Sequence, residues 1–348
     1  MTQKNLNEFL KASEMLKAYD SWSIFTHKKS DGDSMGSANA LYEAGINLGK
    51  QVSWYAPDEN LPAGYKFLPH FEDFIGRESF NFDDDKMLYV FLDCSNEFRS
   101  LSAAVYLSGR QADGPGFVHK PNVINIDHHE DNSMFGQVNC VDGKASSTCE
   151  MLYRLFKADN WNITQPIAES LYTGLFTDTG GFSFSNTSPL THIVAAELIE
   201  LGVKVDRMSD LIGQNKSPAD FLIWSRAMSR VKLFGPENIF AVSVIYKSDF
   251  EETGADMTGT EGLSSMFMTI RGVKLISTIT EYPNGDTRLS IRSREGSPFG
   301  AGELARDLGG GGHERAAGAS FNDVPIEKAA DELEAIIMRK YHECNITS

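Results

Sequence analysis

Asn122-Val123-Ile124-Asn125-Ile126-Asp127-His128-His129 is the stretch on which the fold turns. A short β-branched apolar run that stops on a carboxylate and two imidazoles reads as a strand whose carboxyl end carries polar side chains. Upstream, Met87 to Leu92 is a near-continuous apolar run, the pattern of a strand buried on both faces, and it too ends on a carboxylate, in Asp93-Cys94-Ser95. Trp22 to Thr26 runs into His27-Lys28-Lys29-Ser30-Asp31-Gly32-Asp33, one imidazole and two carboxylates within seven residues. With Val52 to Tyr55 these strands alternate with helical patterns, which implies a parallel sheet. Open sheets of this kind bind ligands beyond the carboxyl ends of their strands.

Between the strands, Ser37 to Leu48 has helical spacing and Gly49 supplies a stop. Ser147 with Glu150 offers a capping box for Met151 to Phe156, and Pro166 and Pro189 suit the first turns of two more helices. Val205 to Phe234 is helix-like but broken by Gly213 and by Ser217-Pro218, and is read as a connector. Beyond Gly235-Pro236 the texture becomes antiparallel β. Ile239 to Tyr246 is one run, Lys274 to Glu281 and Thr287 to Ser293 flank an Asn284-Gly285 turn, and Ile326 to Met338 closes as an amphipathic helix. The expected fold is α/β: a parallel-sheet N-terminal domain over 1–204, a helical linker over 205–235, and a smaller α+β C-terminal domain over 236–348, with a cleft between the domains.

At 348 residues a single core becomes inefficient, which fits two domains. The 32 Lys and Arg against 48 Asp and Glu give a net charge of −16, so the overall field repels long nucleic acid and any polyanion must be met locally. Cys94, Cys140, Cys149 and Cys344 form no C-x-x-C pair and read as reduced thiols. The first 16 residues lack a signal-peptide pattern, and no apolar run approaches the roughly 18 to 20 residues that cross a bilayer, so the cytoplasm is the expected address.

Taken alone, Asp31-x-Asp33 is as readily a solvated turn as a metal site, and an isolated His128-His129 pair is more often structural. Asp178 follows a helix, in Phe176-Thr177-Asp178-Thr179-Gly180-Gly181, where a carboxylate opposes the helix dipole and a nearby cation relieves it. Three strands ending in Asp or His are hard to explain by packing, since clustered carboxylates repel one another without cations. Mixed Asp and His ligands with no Cys fit Mn²⁺ and tolerate Mg²⁺, Co²⁺ or Zn²⁺. The ligands suffice for two ions, and two ions about 3.5 to 4 Å apart suit in-line phosphoryl chemistry, making phosphate-ester hydrolysis the expected reaction class. In the C-terminal half, Arg292 and Arg294 lie on one strand and Gly309 to Gly312 precede His313. Backbone N–H groups of such glycines turn toward an anion, and His313 with either arginine completes a phosphate clamp; a flexible loop is the plain alternative.

The ordered set His27-x3-Asp31-x-Asp33, Asp93, Asp127-His128-His129 and Asp178 resembles the DHH phosphoesterase superfamily, and Gly309 to His313 with Ala316-Ala317-Gly318 resembles the DHH-associated C-terminal domain. Within the superfamily the two-domain length is most similar to the bacterial nanoRNases. These are oligoribonucleases that also remove a phosphate from 3′-phosphoadenosine 5′-phosphate (pAp). The resemblance implies that His27, Asp31 and Asp93 hold one Mn²⁺, and that Asp33, Asp93, His128 and Asp178 hold a second. It implies that His129 faces the substrate, that Asp127 orients an imidazole, and that Arg292, Gly311, Gly312 and His313 bind substrate. Ser30 stands where the family often has Pro.

These implications describe hydrolysis of short RNA or nucleotides, with no membrane and no long nucleic acid as partner; family members often pair as dimers, which leaves a homodimer open. The alternatives are a cyclic-dinucleotide phosphodiesterase, an inorganic pyrophosphatase or exopolyphosphatase, which differs in its C-terminal domain, and a nucleotide-binding protein without turnover.

Overall fold

The computed structural model describes residues 3–57, 61–75, 86–100, 122–213, 216–312, 314–321 and 324–346. Two compact units divide the chain, Met1–Asn215 and Lys216–Ser348, so the boundary falls inside the stretch read as a connector. That stretch does not stand apart from the cores. Met208 is buried in the core of the first unit, and Ile223 and Ala227 in that of the second.

The first unit runs α1 (Gln3–Ala18), β1 (Ser21–Phe25), α2 (Gly32–Asn47), β2 (Gln51–Tyr55), β3 (Phe74–Ile75), β4 (Met87–Leu92), β5 (Val123–Asp127), β6 (Val138–Val141), α3 (Thr148–Ala158), α4 (Gln165–Asp178), α5 (Pro189–Glu200) and α6 (Val205–Gly213). Its six strands pair in parallel in the order β3-β2-β1-β4-β5-β6. The order reverses between β1 and β4, and a reversal of this kind opens a crevice at the carboxyl ends. Register levels those ends: Phe25 lies opposite Phe91, and Leu92 opposite Ile126. The residues that follow, His27, Asp93 and Asp127, therefore emerge at one edge of the sheet.

Two helix starts differ from the sequence reading. α2 begins at Gly32, five residues before the expected start, because the Asp31 carboxylate caps it by accepting from the N–H groups of Asp33 and Ser34, both at 3.1 Å. At α3, Ser147 caps by accepting from Glu150 N–H at 3.0 Å, but the reciprocal half of the box is missing. The buried Glu150 carboxylate is taken instead by the hydroxyls of Ser146 (2.6 Å) and Thr191 (3.1 Å).

In the second unit follow α7 (Pro218–Ser229), β7 (Lys232–Phe234), β8 (Phe240–Ile245), α8 (Lys247–Thr253), α9 (Leu263–Phe267), β9 (Leu275–Glu281), β10 (Thr287–Ser293), α10 (Ala301–Asp307), β11 (Gly311–Gly312), β12 (Ala316–Ser320) and α11 (Ile326–Ile346). The sheet order is β11-β12-β10-β9-β8-β7. It is mixed, not purely antiparallel: β8 and β9 run parallel because α8 and α9 form a crossover between them, where a tight turn would have reversed the chain. β8 is buried throughout, since Val242 and Val244 enter one core cluster and Ala241 and Ile245 another. The Asn284-Gly285 turn joins β9 to β10 as expected, with Gly285 at φ +91°. None of the described helices is long and apolar enough to cross a membrane.

Candidate metal centre

Six side chains expected to hold metal, His27, Asp31, Asp33, Asp93, His128 and Asp178, all lie in the first unit, where they converge beyond the β1, β4 and β5 ends. Asp93 stands between two imidazoles. Its Oδ2 is 3.2 Å from His27 Nε2 and its Oδ1 is 3.5 Å from His128 Nε2. His128 Nε2 also lies 3.6 Å from Asp178 Oδ2 and 3.8 Å from Asp33 Oδ2. Ligand atoms of His27, Asp31 and Asp93 lie within 4.8 Å of one another, as do those of Asp33, His128 and Asp178, and those of Asp93, His128 and His129.

Local structure aims each group. His27 Nδ1 donates to the Lys28 carbonyl at 2.9 Å, which leaves Nε2 directed at Asp93 and, at 3.9 Å, Asp31. Asp33 sits in the first turn of α2 and also at the start of α3, whose Thr148 and Cys149 N–H groups donate to its two oxygens at 2.6 and 2.9 Å. A helix N-terminus favours a carboxylate there. Asp178 is the last residue of α4, not a residue beyond it. It reaches Asp33 because α2 and α4 approach at glycines: a Cβ on Gly36 would lie 2.4 Å from the Ser170 carbonyl, and one on Gly174 would lie 2.5 Å from Asp33 Oδ1.

The cluster is electrostatically strained. Burial raises the Asp33 carboxyl well above the usual range, and the charges of Asp93 and Asp178 push the same way. Asp178 is raised to about 7, first by burial. Asp93 goes the other way: burial works against its charge, but hydrogen bonds from His128 and His27 outweigh it and hold it well below the usual range. His27 is raised to about 9, since its bond to Asp93 and the charges of Asp93 and Asp31 outweigh burial. Buried acids that retain protons beside imidazoles that gain them are what a cage of oxygen and nitrogen donors does with no cation to offset its charge. The donor set fits divalent ions of the Mn²⁺ type.

Beside the cage, Asp127 Oδ1 accepts from His129 Nδ1 at 2.7 Å, while its Oδ2 accepts from Asn132 Nδ2 at 2.6 Å. Asp127 is fully buried, and this contact fixes which nitrogen of His129 bears the proton. Three supporting residues escaped the sequence reading. Ser34 donates to Asp93 Oδ2 at 2.9 Å, Thr148 to Asp93 Oδ1 at 3.3 Å, and Asn132 holds Asp127. A hydroxyl in a helix first turn reads as a cap, so nothing in the pattern announces its aim.

The residues expected to bind substrate belong to the second unit, except His129. Arg292, on β10, is half-buried and touches Ser265 Oγ at 3.4 Å; burial alone lowers its pKa. Arg294 follows β10 and gives its backbone N–H to the Lys274 carbonyl. Gly311 and Gly312 form the edge strand β11 on Gly318 and Ala317 of β12, so this segment is part of a sheet and not a free loop. A Cβ on Gly310 would lie 2.2 Å from the Gly318 carbonyl, which is why glycine leads into that edge. His313 lies outside the described residues.

Comparison with known proteins matches residues 22–175 to the DHH family N-terminal domain and residues 238–340 to the DHHA1 domain. The bifunctional oligoribonuclease and PAP phosphatase NrnA of Thermus thermophilus is 32% identical over 330 residues, covering 93% of this chain and 92% of that protein. The chain belongs to the DHH family. All six cage residues but Asp178 fall within the matched DHH domain, and Asp178 follows it by three residues. The NrnA of Bacillus subtilis is 28% identical over 88% of this chain and 91% of its own. Among solved structures, an exopolyphosphatase-related protein from Bacteroides fragilis superposes with a TM-score of 0.85 over 97% of this chain and 98% of its own, at 22% identity, which shows a shared fold.

Proposed function

We propose that this DHH-family protein is a metal-dependent phosphoesterase that hydrolyses short oligoribonucleotides and pAp. The observation that carries the reading is the convergence of His27, Asp31, Asp33, Asp93, His128 and Asp178 on one point beyond a parallel sheet. The names of the NrnA relatives supply the substrate class.

In this reading His27, Asp31 and Asp93 would hold one ion and Asp33, Asp93, His128 and Asp178 the other, with Mn²⁺ preferred and Mg²⁺ or Co²⁺ able to substitute. Two such ions, when bound, make a nucleophilic water available near neutral pH and offset the charge that builds on phosphate oxygens. The chain's own residues do the rest. Asp33 and Asp93 are fixed by backbone N–H groups and hydroxyls, so the donors are held in place before any ligand arrives. His129 keeps Nδ1–H on Asp127, and because that bond and the Asp127 charge outweigh burial and raise its pKa, it can carry a second proton on Nε2, the N–H that hydrogen-bonds a phosphate oxygen or protonates the leaving oxygen. In the second unit the Arg292 guanidinium, half-desolvated, suits a phosphate, and the exposed Gly311-Gly312 edge offers backbone hydrogen-bonding groups. Short substrates are favoured because the net charge of −16 repels long RNA while local cations capture a few phosphates. A cytoplasmic address belongs to this reading, since the buried thiols of Cys94, Cys140 and Cys149 suit a reducing compartment.

The test is product release from end-labelled two- to five-residue RNAs by Mn²⁺-loaded protein, with pAp, cyclic di-AMP and inorganic pyrophosphate alongside. Mononucleotides from the short RNAs and phosphate from pAp are expected. Pyrophosphate turned over faster than a diribonucleotide would overturn the substrate assignment, and a loaded protein inert toward all four would overturn the enzyme reading.

A further inference from the structure

Arg99 places a permanent positive charge against the acidic cage, and no role described above uses it. It closes a short 3-10 turn, Glu97–Arg99, just past the Asp93 end of β4. Its backbone is fixed from two sides: Asn96 Oδ1 accepts its N–H at 3.2 Å, and its carbonyl accepts the Lys28 N–H at 2.7 Å. That second bond stitches the turn to the loop that carries His27 and Asp31. The backbone is thus locked to the metal centre through both of the strands between which the sheet order reverses.

The side chain is satisfied much less well than the backbone. The guanidinium has five N–H donors, yet its side-chain contact among the described residues is Nη1 at 3.5 Å from His129 Nε2. No carboxylate among the described residues lies within ion-pair distance of it, although Asp127 and Asp93 lie 2.7 and 3.7 Å from Nδ1 of the His129 ring that it contacts. Its contact with His129 sets the guanidinium beside the cage, because His129 lies against the Asp93 carboxylate and the His128 ring. Asp127 holds the Nδ1–H of His129, so Nε2 points at Arg99.

The geometry points to Arg99 as a phosphate-binding residue of the DHH domain, which beside His129 grips the oxygens of the phosphoryl group brought to the cage. A guanidinium fork matches two oxygens of one phosphate, whereas its approach to a single ring nitrogen leaves most of its donors unused. The inference rests on the phosphoesterase reading for its ligand, but not for its measurement, because inorganic phosphate is itself the probe.

The experiment uses the full chain saturated with Mn²⁺ and follows inorganic phosphate binding by calorimetry, together with kcat and KM on pAp and a diribonucleotide. Two variants are compared: Arg99→Met keeps the apolar stem and Arg99→Lys keeps the charge. Loss of a charged hydrogen-bonding group corresponds to a fall of about 10- to 100-fold in phosphate affinity and in kcat/KM for Arg99→Met. Smaller losses are expected for Arg99→Lys, with partial rescue of Arg99→Met by added guanidinium ion. Mn²⁺ affinity and melting temperature stay at the wild-type values. Phosphate affinity and kcat/KM of Arg99→Met within about twofold of wild type would overturn the proposal. So would losses accompanied by weakened Mn²⁺ binding or a lowered melting temperature without guanidinium rescue, since those mark a structural role. Arg99-dependent phosphate binding by a protein that hydrolyses no phosphoester would uphold the subsite and sink the phosphoesterase reading alone.

Discussion

Asp93 is held at φ +59°, a left-handed conformation that aspartate tolerates better than most side chains and that turns its carboxylate back between His27 and His128. Asp93→Asn keeps that backbone and the shape while removing the charge shared by both proposed ions. Turnover is expected to fall more than about 100-fold, with Mn²⁺ binding lost by calorimetry and circular dichroism unchanged. Near-wild-type activity would remove Asp93 from its shared position. The neighbouring protons make a second prediction. In metal-free protein His27 is raised from 6.5 to about 9, so its stabilising contribution is complete below about pH 6.5 and is lost as pH rises through 9. Asp178 is raised from 3.8 to about 7, so its ionisation between those values also removes stability as pH rises. Both slopes have one sign. Chelated protein should therefore melt at progressively lower temperature from pH 6 to 9.5, while saturating Mn²⁺ flattens the profile and releases protons on binding near pH 6.5. A flat profile without metal would contradict the electrostatic account of the cage.

At the scale of elements, the site depends on how closely α2, α3 and α4 pack. The apolar spacing of these helices is legible in the chain, as are Pro166, Pro189 and the cap at Ser147. That α3 directs its first N–H groups at Asp33, 115 residues away in sequence, is not legible, because a capping pattern states where a helix begins and not what it faces. Gly174 makes the contact possible. A Cβ there would meet Cys149 Sγ at 2.3 Å, Asp33 Oδ1 at 2.5 Å and the Asp33 Cα at 2.9 Å. Overpacking of this kind costs about 1–3 kcal/mol, against about 1 kcal/mol regained from helix propensity, and the backbone atom in the clash places the cost at the upper end. Gly174→Ala should lower the urea midpoint and weaken Mn²⁺ binding together. Stabilisation by this change would show that the helices part freely. In the second unit, the crossover of α8 and α9 made β8 and β9 parallel where alternating runs alone suggested a reversal.

For the molecule as a whole, two units with separate cores carry the two groups of expected residues, the metal ligands in the first and Arg292, Arg294, Gly311 and Gly312 in the second. Ligands that bind only the folded first unit stabilise that unit by mass action, by about 2.7 kcal/mol at a hundred times the dissociation constant. Calorimetry is expected to show Mn²⁺ moving the transition of the first unit while that of the second stays in place. A common shift of both would show that they unfold as one.

The chain by itself determined the parallel α/β class, the Asn284-Gly285 hairpin and the identity of the candidate ligands. Each of those is written in local terms: an apolar run, a turn dipeptide, or a carboxylate at the end of a strand. Only the tertiary structure decided that strand register brings three such ends level, and that an interhelical glycine contact lets Asp33 and Asp178 meet. It likewise decided that Ser34, Thr148 and Asn132 hold the acids in place and that Arg99 stands beside His129. Hydrogen-bond direction and close packing depend on residues distant in sequence, and no local pattern encodes them.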